Sequence, residues 1–158
     1  MLRLKRISVP FLMVSVLLFF IPAGANAEKA SFTGKTMTYI TSLNESNGQL
    51  KASFNYIQWY FGKDADREFL KDCGCKKELG GAPDGYYIRD ASKKIRSFPV
   101  SKNAKYVLQT RTDEIKWNEK VSKAQFMTFY KKTKKYQLPF KITIKNGVVT
   151  SITEQYVP

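Results

Sequence analysis

The sequence predicts a small, mainly β domain of the α+β class: a strongly bent β-barrel or sheet with two short helices. Alternating apolar and polar residues flank two Asn-Gly pairs, which favour the tight turns of β-hairpins. Two other segments have helical periodicity. A hairpin, a short helix, further strands, a second helix and a final hairpin give the element order of an OB-fold barrel. An open α+β sheet is the competing architecture.

The N-terminal residues have the pattern of a secretory signal peptide. Three basic residues precede an apolar run over 9–21, and Ala25-Asn26-Ala27 is an A-x-A cleavage site. The run is shorter than the roughly 20 residues that a membrane-spanning helix needs. We therefore expect residues 1–27 to be cleaved near Ala27 and residues 28–158 to form one secreted globular domain without a stable membrane anchor.

The first hairpin begins at Met37 and turns at Asn47-Gly48. Its first strand places two sets of residues on opposite faces: Met37, Tyr39, Thr41 and Leu43 on one, and Thr38 and Ser42 on the other. The return strand alternates from Leu50 to Tyr56, and then the apolar phase changes to Ile57, Trp59 and Phe61. One extra residue near Tyr56-Ile57 would produce this change, as in a β-bulge. The alternative is that other parts of the protein cover both faces of the second half of this strand.

Residues 64–72 are predicted to form the first helix. Asp64 is a suitable N-cap, and Ala65 and Phe69 share one face. Gly74 is well placed to end the helix in the left-handed conformation. The Gly- and Pro-containing segment 76–85 is predicted to be a loop.

Three strands are predicted in the middle of the chain, at 86–88, 95–100 and 105–110. The sequence Ser101-Lys102-Asn103 suggests a turn between the last two. Pro99 cannot donate a backbone hydrogen bond and should mark an edge strand or a strand end. The apolar segment 115–117 has no clear secondary-structure pattern.

The second helix should begin after Ser122, because Ser122 and Gln125 have the spacing of a capping box. It is predicted to run to about Lys135. The C-terminal hairpin is then predicted from the alternation over 140–145, the Asn146-Gly147 turn and the return through Val148, Ile152 and Tyr156.

Composition limits the chemistry that this chain can perform. Residues 28–158 contain 24 Lys and Arg, mostly Lys, against 13 Asp and Glu, and the chain has no His. Catalytic triads, a His general base and His-ligated zinc are therefore excluded. The carboxylates are scattered, and no phosphate-loop or calcium-loop motif is present. An enzyme thus has no support in the sequence, and we expect neither a cofactor nor a metal.

Two segments resemble a known group of proteins. Gly85-Tyr86-Tyr87-Ile88-Arg89 and the C-terminal Glu-Gln-Tyr-Val-Pro at 154–158 resemble short secreted proteins of Gram-positive bacteria. That group has a Gly-Tyr-Tyr-Ile-Arg segment and a Glu-Gln-Tyr-x-Pro tail. The resemblance implies a bacterial, secreted origin and assigns no activity or site residue.

Cys73-Gly74-Cys75 is the first motif with possible chemistry. Outside the cytoplasm the two thiols should be oxidised, and Cys73 and Cys75 are the only internal pair. So short a disulfide loop stabilises the fold by about 1–2 kcal/mol in the chain-entropy model. The disulfide is expected to be passive, and a thiol-disulfide exchange activity is the alternative.

A set of lysines is the second candidate site, for polyanion binding: Lys131, Lys132, Lys134, Lys135, Lys141 and Lys145. A basic surface near Trp59 and Trp117 would suit an extended anionic polymer. A solvated lysine face above an aromatic core is the alternative interpretation. We therefore expect a secreted, non-enzymatic binding module for an anionic envelope polymer or a partner protein, with nucleic acid as a less supported ligand. A protein active in thiol-disulfide exchange through Cys73 and Cys75 is the alternative.

Overall fold

The computed structural model describes residues 32–75 and 80–158; the predicted signal peptide and the first part of the predicted loop, 76–79, lie outside this description. It contains seven strands, two helices and a 3₁₀ turn. The strands are β1 (Gly34–Ser46), β2 (Gln49–Phe61), β3 (Tyr86–Arg89), β4 (Ile95–Leu108), β5 (Glu119–Val121), β6 (Pro139–Lys145) and β7 (Val148–Glu154). The helices are α1 (Lys63–Cys73) and α2 (Lys123–Thr133), and α2 continues into the 3₁₀ turn Lys134–Tyr136.

Five strands close into a barrel. They lie in the order β1-β2-β4-β7-β6, and β6 pairs again with β1. All pairs are antiparallel except β4 with β7. The helix α2 joins the third and fourth barrel strands, and β3 and β5 lie outside the barrel on β2 and β4. This is the predicted OB-like arrangement, and the open sheet is excluded.

The predicted bulge is on the other strand of the first hairpin. The pairing of β1 with β2 is unbroken from Met37–Ile57 to Ile40–Phe54 and shifts only between Ile40 and Ser42. The extra residue is therefore Thr41. Thr38 and Ile40 are the buried residues of this part of β1, so the predicted apolar face was wrong. The phase change in β2 instead marks where β2 leaves β4 and pairs with β3.

The two strands predicted at 95–100 and 105–110 are one long strand, β4. The turn predicted at 101–103 is an irregularity in the pairing of β4 with β7, between Val100 and Lys105. Pro99 lies immediately before this irregularity. It forms the terminal pair of β4 with β2, opposite Lys51, and precedes Val100, where the pairing with β7 begins, so its missing backbone donor lies at a ladder end although β4 is not an edge strand of the barrel.

Both Asn-Gly pairs form two-residue hairpin turns, as predicted. Asn47 and Gly48 have φ of 51° and 72°, and Asn146 and Gly147 have 49° and 73°. The C-terminal hairpin contains a register shift between Thr143 and Ile144 that makes Thr150 the extra residue. The bulge lies between Val149 and Ile152, which are both buried, whereas Val148 is only partly buried.

The helix α2 closes one end of the barrel. Its predicted capping box is present, with Ser122 accepting from the backbone of Gln125 and the Gln125 side chain accepting from the backbone of Ser122. The helix buries Phe126, Phe129 and Tyr130 against the strands. It ends in the 3₁₀ turn, close to the predicted end at Lys135.

The outer half of β2 forms a two-stranded ribbon with β3, and α1 packs on one face of it. The N-cap of α1 is Gly62 and not the predicted Asp64, which lies in the first turn. Gly74 ends the helix with φ 62°, as predicted. Tyr60 and Tyr87 stack on the face that α1 covers, where Phe69 contacts Tyr87 edge-on.

Candidate functional site

An ionic cluster fixes α1 to the ribbon. The Arg89 guanidinium donates to Glu68 Oε2 at 2.8 Å and to Asp72 Oδ2 at 2.5 Å. It also donates to the Tyr60 hydroxyl, and Tyr87 donates to Asp72. Each polar group in this cluster has its partner, so its role is structural.

We expect this cluster to stabilise the fold less as the pH becomes acidic. Arg89 holds the pKa values of Glu68 and Asp72 below their usual range near 4. The contribution of the cluster to the free energy of unfolding is therefore complete above about pH 5. It is lost as the pH falls through the lowered pKa values of the two carboxylates. Thermal unfolding of the Arg89→Gln variant should depend less on pH between about 5 and 3 than that of the wild type. Arg96→Gln is the control, because Arg96 stacks on Tyr56. An equal pH dependence in wild type and Arg89→Gln would contradict the assignment.

Cys73 and Cys75 form the predicted disulfide. Cys73 is the last residue of α1 and is exposed. Redox-active thiolates are usually stabilised at the N-terminal end of a helix, whereas the carbonyl end disfavours a negative charge. This location gives no support to thiol-disulfide exchange.

Three of the six lysines proposed from the sequence line clefts, and they are divided between two of them. Lys134 and Lys135 line one cleft, and Lys132 lines another beside Arg111, which is paired with Glu119. Lys141 and Lys145 are exposed on β6, four residues or about 13 Å apart.

The cleft lined by Lys134 and Lys135 has a volume of about 600 Å³, and we call it the basic cleft. It lies where the β1 bulge, the β3–β4 loop and the end of α2 meet. Its charged groups are Lys93, Lys134, Lys135 and Asp90, which leaves a formal excess of two positive charges. The remaining lining residues are Tyr39, Ile40, Thr41, Asn55, Tyr130 and Gln137.

A buried amide in this cleft has an unused acceptor. Asn55 is only 7% exposed, and its Nδ2 donates to Asp90 Oδ1 at 2.8 Å. Its Oδ1 is buried and has no hydrogen-bond partner among the residues that the structure describes. A buried acceptor without a partner costs about 1–3 kcal/mol, so a donor supplied by a ligand would be favoured there. Asp90 Oδ2 is held by Lys93 at 3.2 Å.

Two tyrosines supply neutral donors to the basic cleft. Burial raises the pKa of Tyr39, and the neighbouring Asp90 and Tyr86 raise it further. Burial also raises the pKa of Tyr130. Both hydroxyls therefore stay protonated at neutral pH and remain able to donate hydrogen bonds.

An aromatic pair lies on the ribbon face opposite α1. Trp59 and Tyr86 stack with ring centroids 5.0 Å apart. The strand pairing places Phe61 and Ile88 on the same face, and Phe61 is 67% exposed. The strand β3 runs from Tyr86 to Arg89, and the next residue, Asp90, lines the basic cleft, so the aromatic pair and the cleft are joined by one short segment.

Comparison with known proteins assigns no family to this chain. No protein-family model matches it, and neither curated proteins nor solved structures give a match. Among residues 32–75 and 80–158, no helix has the length and apolar character that crossing a bilayer requires. The same residues contain no cluster of carboxylate, His or Cys side chains that would hold a metal ion.

Sequence reasoning missed the basic cleft and most of its lining. Lys134 and Lys135 were selected from their local density, but Lys93, Asp90 and Asn55 were not. These residues come from separate segments that meet only when the barrel closes. Asn55 gave no signal in the sequence, because it continues the alternation of polar residues that begins with Lys51 and Ser53.

Proposed function

We propose that this protein is a secreted, non-enzymatic binding module whose basic cleft holds an anionic polymer of the cell envelope. The observation that carries the proposal is the combination of three lysines with the unpartnered, 93%-buried Asn55 in one open cleft. A lysine surface alone would serve solubility. A buried acceptor beside the lysines is unfavourable without a ligand and therefore supports a binding role.

The chemistry of the cleft suits an extended anion better than a single phosphate. Lys is a point charge on a flexible stem, whereas bidentate recognition of one phosphate is typical of Arg. No Arg lines the basic cleft.

The test is a titration of residues 28–158 with a short inorganic polyphosphate at several salt concentrations. Wild-type affinity should fall as salt rises, because binding releases counterions. The double variant Lys134→Gln/Lys135→Gln should bind on the order of tenfold more weakly and show a flatter salt dependence. Thermal stability should change little, because exposed lysines contribute little to the fold.

Lys131→Gln/Lys145→Gln is the matched control, since it removes the same charge from exposed positions outside the basic cleft. It should retain most of the affinity. Equal weakening in the two double variants would assign the binding to overall charge. Affinity independent of salt would rule out a polyanion site.

A further inference from the structure

We infer that the anionic polymer is an acidic glycan whose sugar rings lie along the Trp59–Tyr86 face while its acidic groups bind in the basic cleft. This inference rests on the proposed function and names the ligand class. It joins two neighbouring features, the basic cleft and the aromatic pair on the outer face of the ribbon.

The strand register makes the two features continuous. Tyr39 pairs with Asn55, so both lie on the outer face of the sheet and both line the cleft. Residues 55, 57 and 59 of β2 share this face, which places Trp59 about 13 Å beyond Asn55 along the strand. Tyr86 stacks on Trp59, and β3 leads from Tyr86 to Arg89, directly before Asp90 of the cleft. A ligand leaving the cleft past Tyr39 therefore meets the aromatic pair.

Lysines border the same face. Lys141 pairs with Met37, and Met37 pairs with Ile57, so these three residues form a row across β6, β1 and β2. Lys35 lies two residues before Met37 on β1, on the same face, and is exposed. The aromatic face is thus positively charged at its margin, as an anionic ligand requires.

The hydrogen-bonding groups favour a sugar over a nucleic acid. Asn55 Oδ1 is an acceptor, and Asp90 is a carboxylate inside a basic cleft. The Asp90 oxygens are already held by Asn55 and Lys93, so it is the unpartnered Asn55 oxygen that favours a ligand bringing donors together with its negative charge. Each sugar of an acidic glycan supplies hydroxyl donors beside its charged group. A DNA backbone has phosphate acceptors and no donors to offer that oxygen.

The test compares three probes at the same ionic strength: oligogalacturonate, inorganic polyphosphate and poly-dT. The protein carries Trp117→Phe, so that Trp59 is its one tryptophan and the source of its tryptophan fluorescence. Oligogalacturonate should bind more tightly than polyphosphate and should change the Trp59 emission, whereas polyphosphate should leave it unchanged. Adding Trp59→Leu should weaken oligogalacturonate binding on the order of tenfold and leave polyphosphate binding within about twofold.

The outcomes separate the inference from the function on which it rests. Polyphosphate binding without a preference for oligogalacturonate, or without a Trp59 response, overturns the inference and retains the basic cleft as a polyanion site. Tightest binding by poly-dT overturns it in favour of nucleic acid. Failure of all three probes to bind overturns both proposals. If Trp59→Leu fails to fold, the emission of Trp59 in the Trp117→Phe protein decides between these results.

Discussion

Phe126→Ala is expected to lower the free energy of unfolding by about 3–5 kcal/mol, the usual cost of removing a fully buried Phe. Phe126 is 0% exposed and lies where α2 closes the barrel. Its ring stacks on Tyr106 of β4 at 4.8 Å and meets Phe140 of β6 edge-on at 6.0 Å. The truncation leaves a cavity between the helix and two barrel strands, and denaturant unfolding monitored by circular dichroism measures its cost.

Phe61→Ala is the matched control, because it removes the same side chain from a position that is 67% exposed. We expect it to change the free energy of unfolding by less than about 0.5 kcal/mol. Equal destabilisation by the two variants would show that α2 does not close the barrel as described.

Glu154→Ala is expected to cost about 3 kcal/mol, because Glu154 accepts hydrogen bonds from buried backbone groups. Its Oε2 accepts from the backbone N–H of Gln109 at 2.6 Å and of Thr110 at 3.0 Å, and its Oε1 accepts from the Thr110 hydroxyl. Glu154 is 3% exposed. Alanine would leave both backbone donors without an acceptor at the end of β4.

Glu154→Gln should cost only about 1 kcal/mol. The amide oxygen can take the two backbone donors, and the Thr110 hydroxyl can rotate to accept from the amide nitrogen. Glu114→Gln, at an exposed position, serves as the control. A larger cost for Gln than for Ala in chemical denaturation would contradict the hydrogen-bond assignment.

Local sequence patterns predicted the elements that local chemistry determines. The two Asn-Gly turns depend on a positive φ that Asn and Gly tolerate. The capping box depends on Ser122 and Gln125 lying three positions apart. Both are encoded within a few residues. They were therefore predicted correctly, together with the OB-like order of elements.

Features that depend on tertiary pairing were predicted less well. The bulge at Thr41 is set by which residues β2 and β6 present to β1, and the phase change in β2 reflects its exchange of β4 for β3. β4 is one continuous strand because its first half pairs with β2 and its second half pairs with β7. The basic cleft is the extreme case, because four segments distant in sequence contribute to it.

Barrel closure has a consequence for the order in which the chain can mature. Until residues 139–154 arrive, β1 lacks its β6 partner and β4 lacks its parallel β7 partner. A partly synthesised chain therefore presents two open strand edges, and such edges are prone to pair with other molecules. The C-terminal hairpin folds locally around Asn146-Gly147, which takes microseconds in isolated hairpins. The last strands to be made thus form quickly, and their docking covers the two open edges.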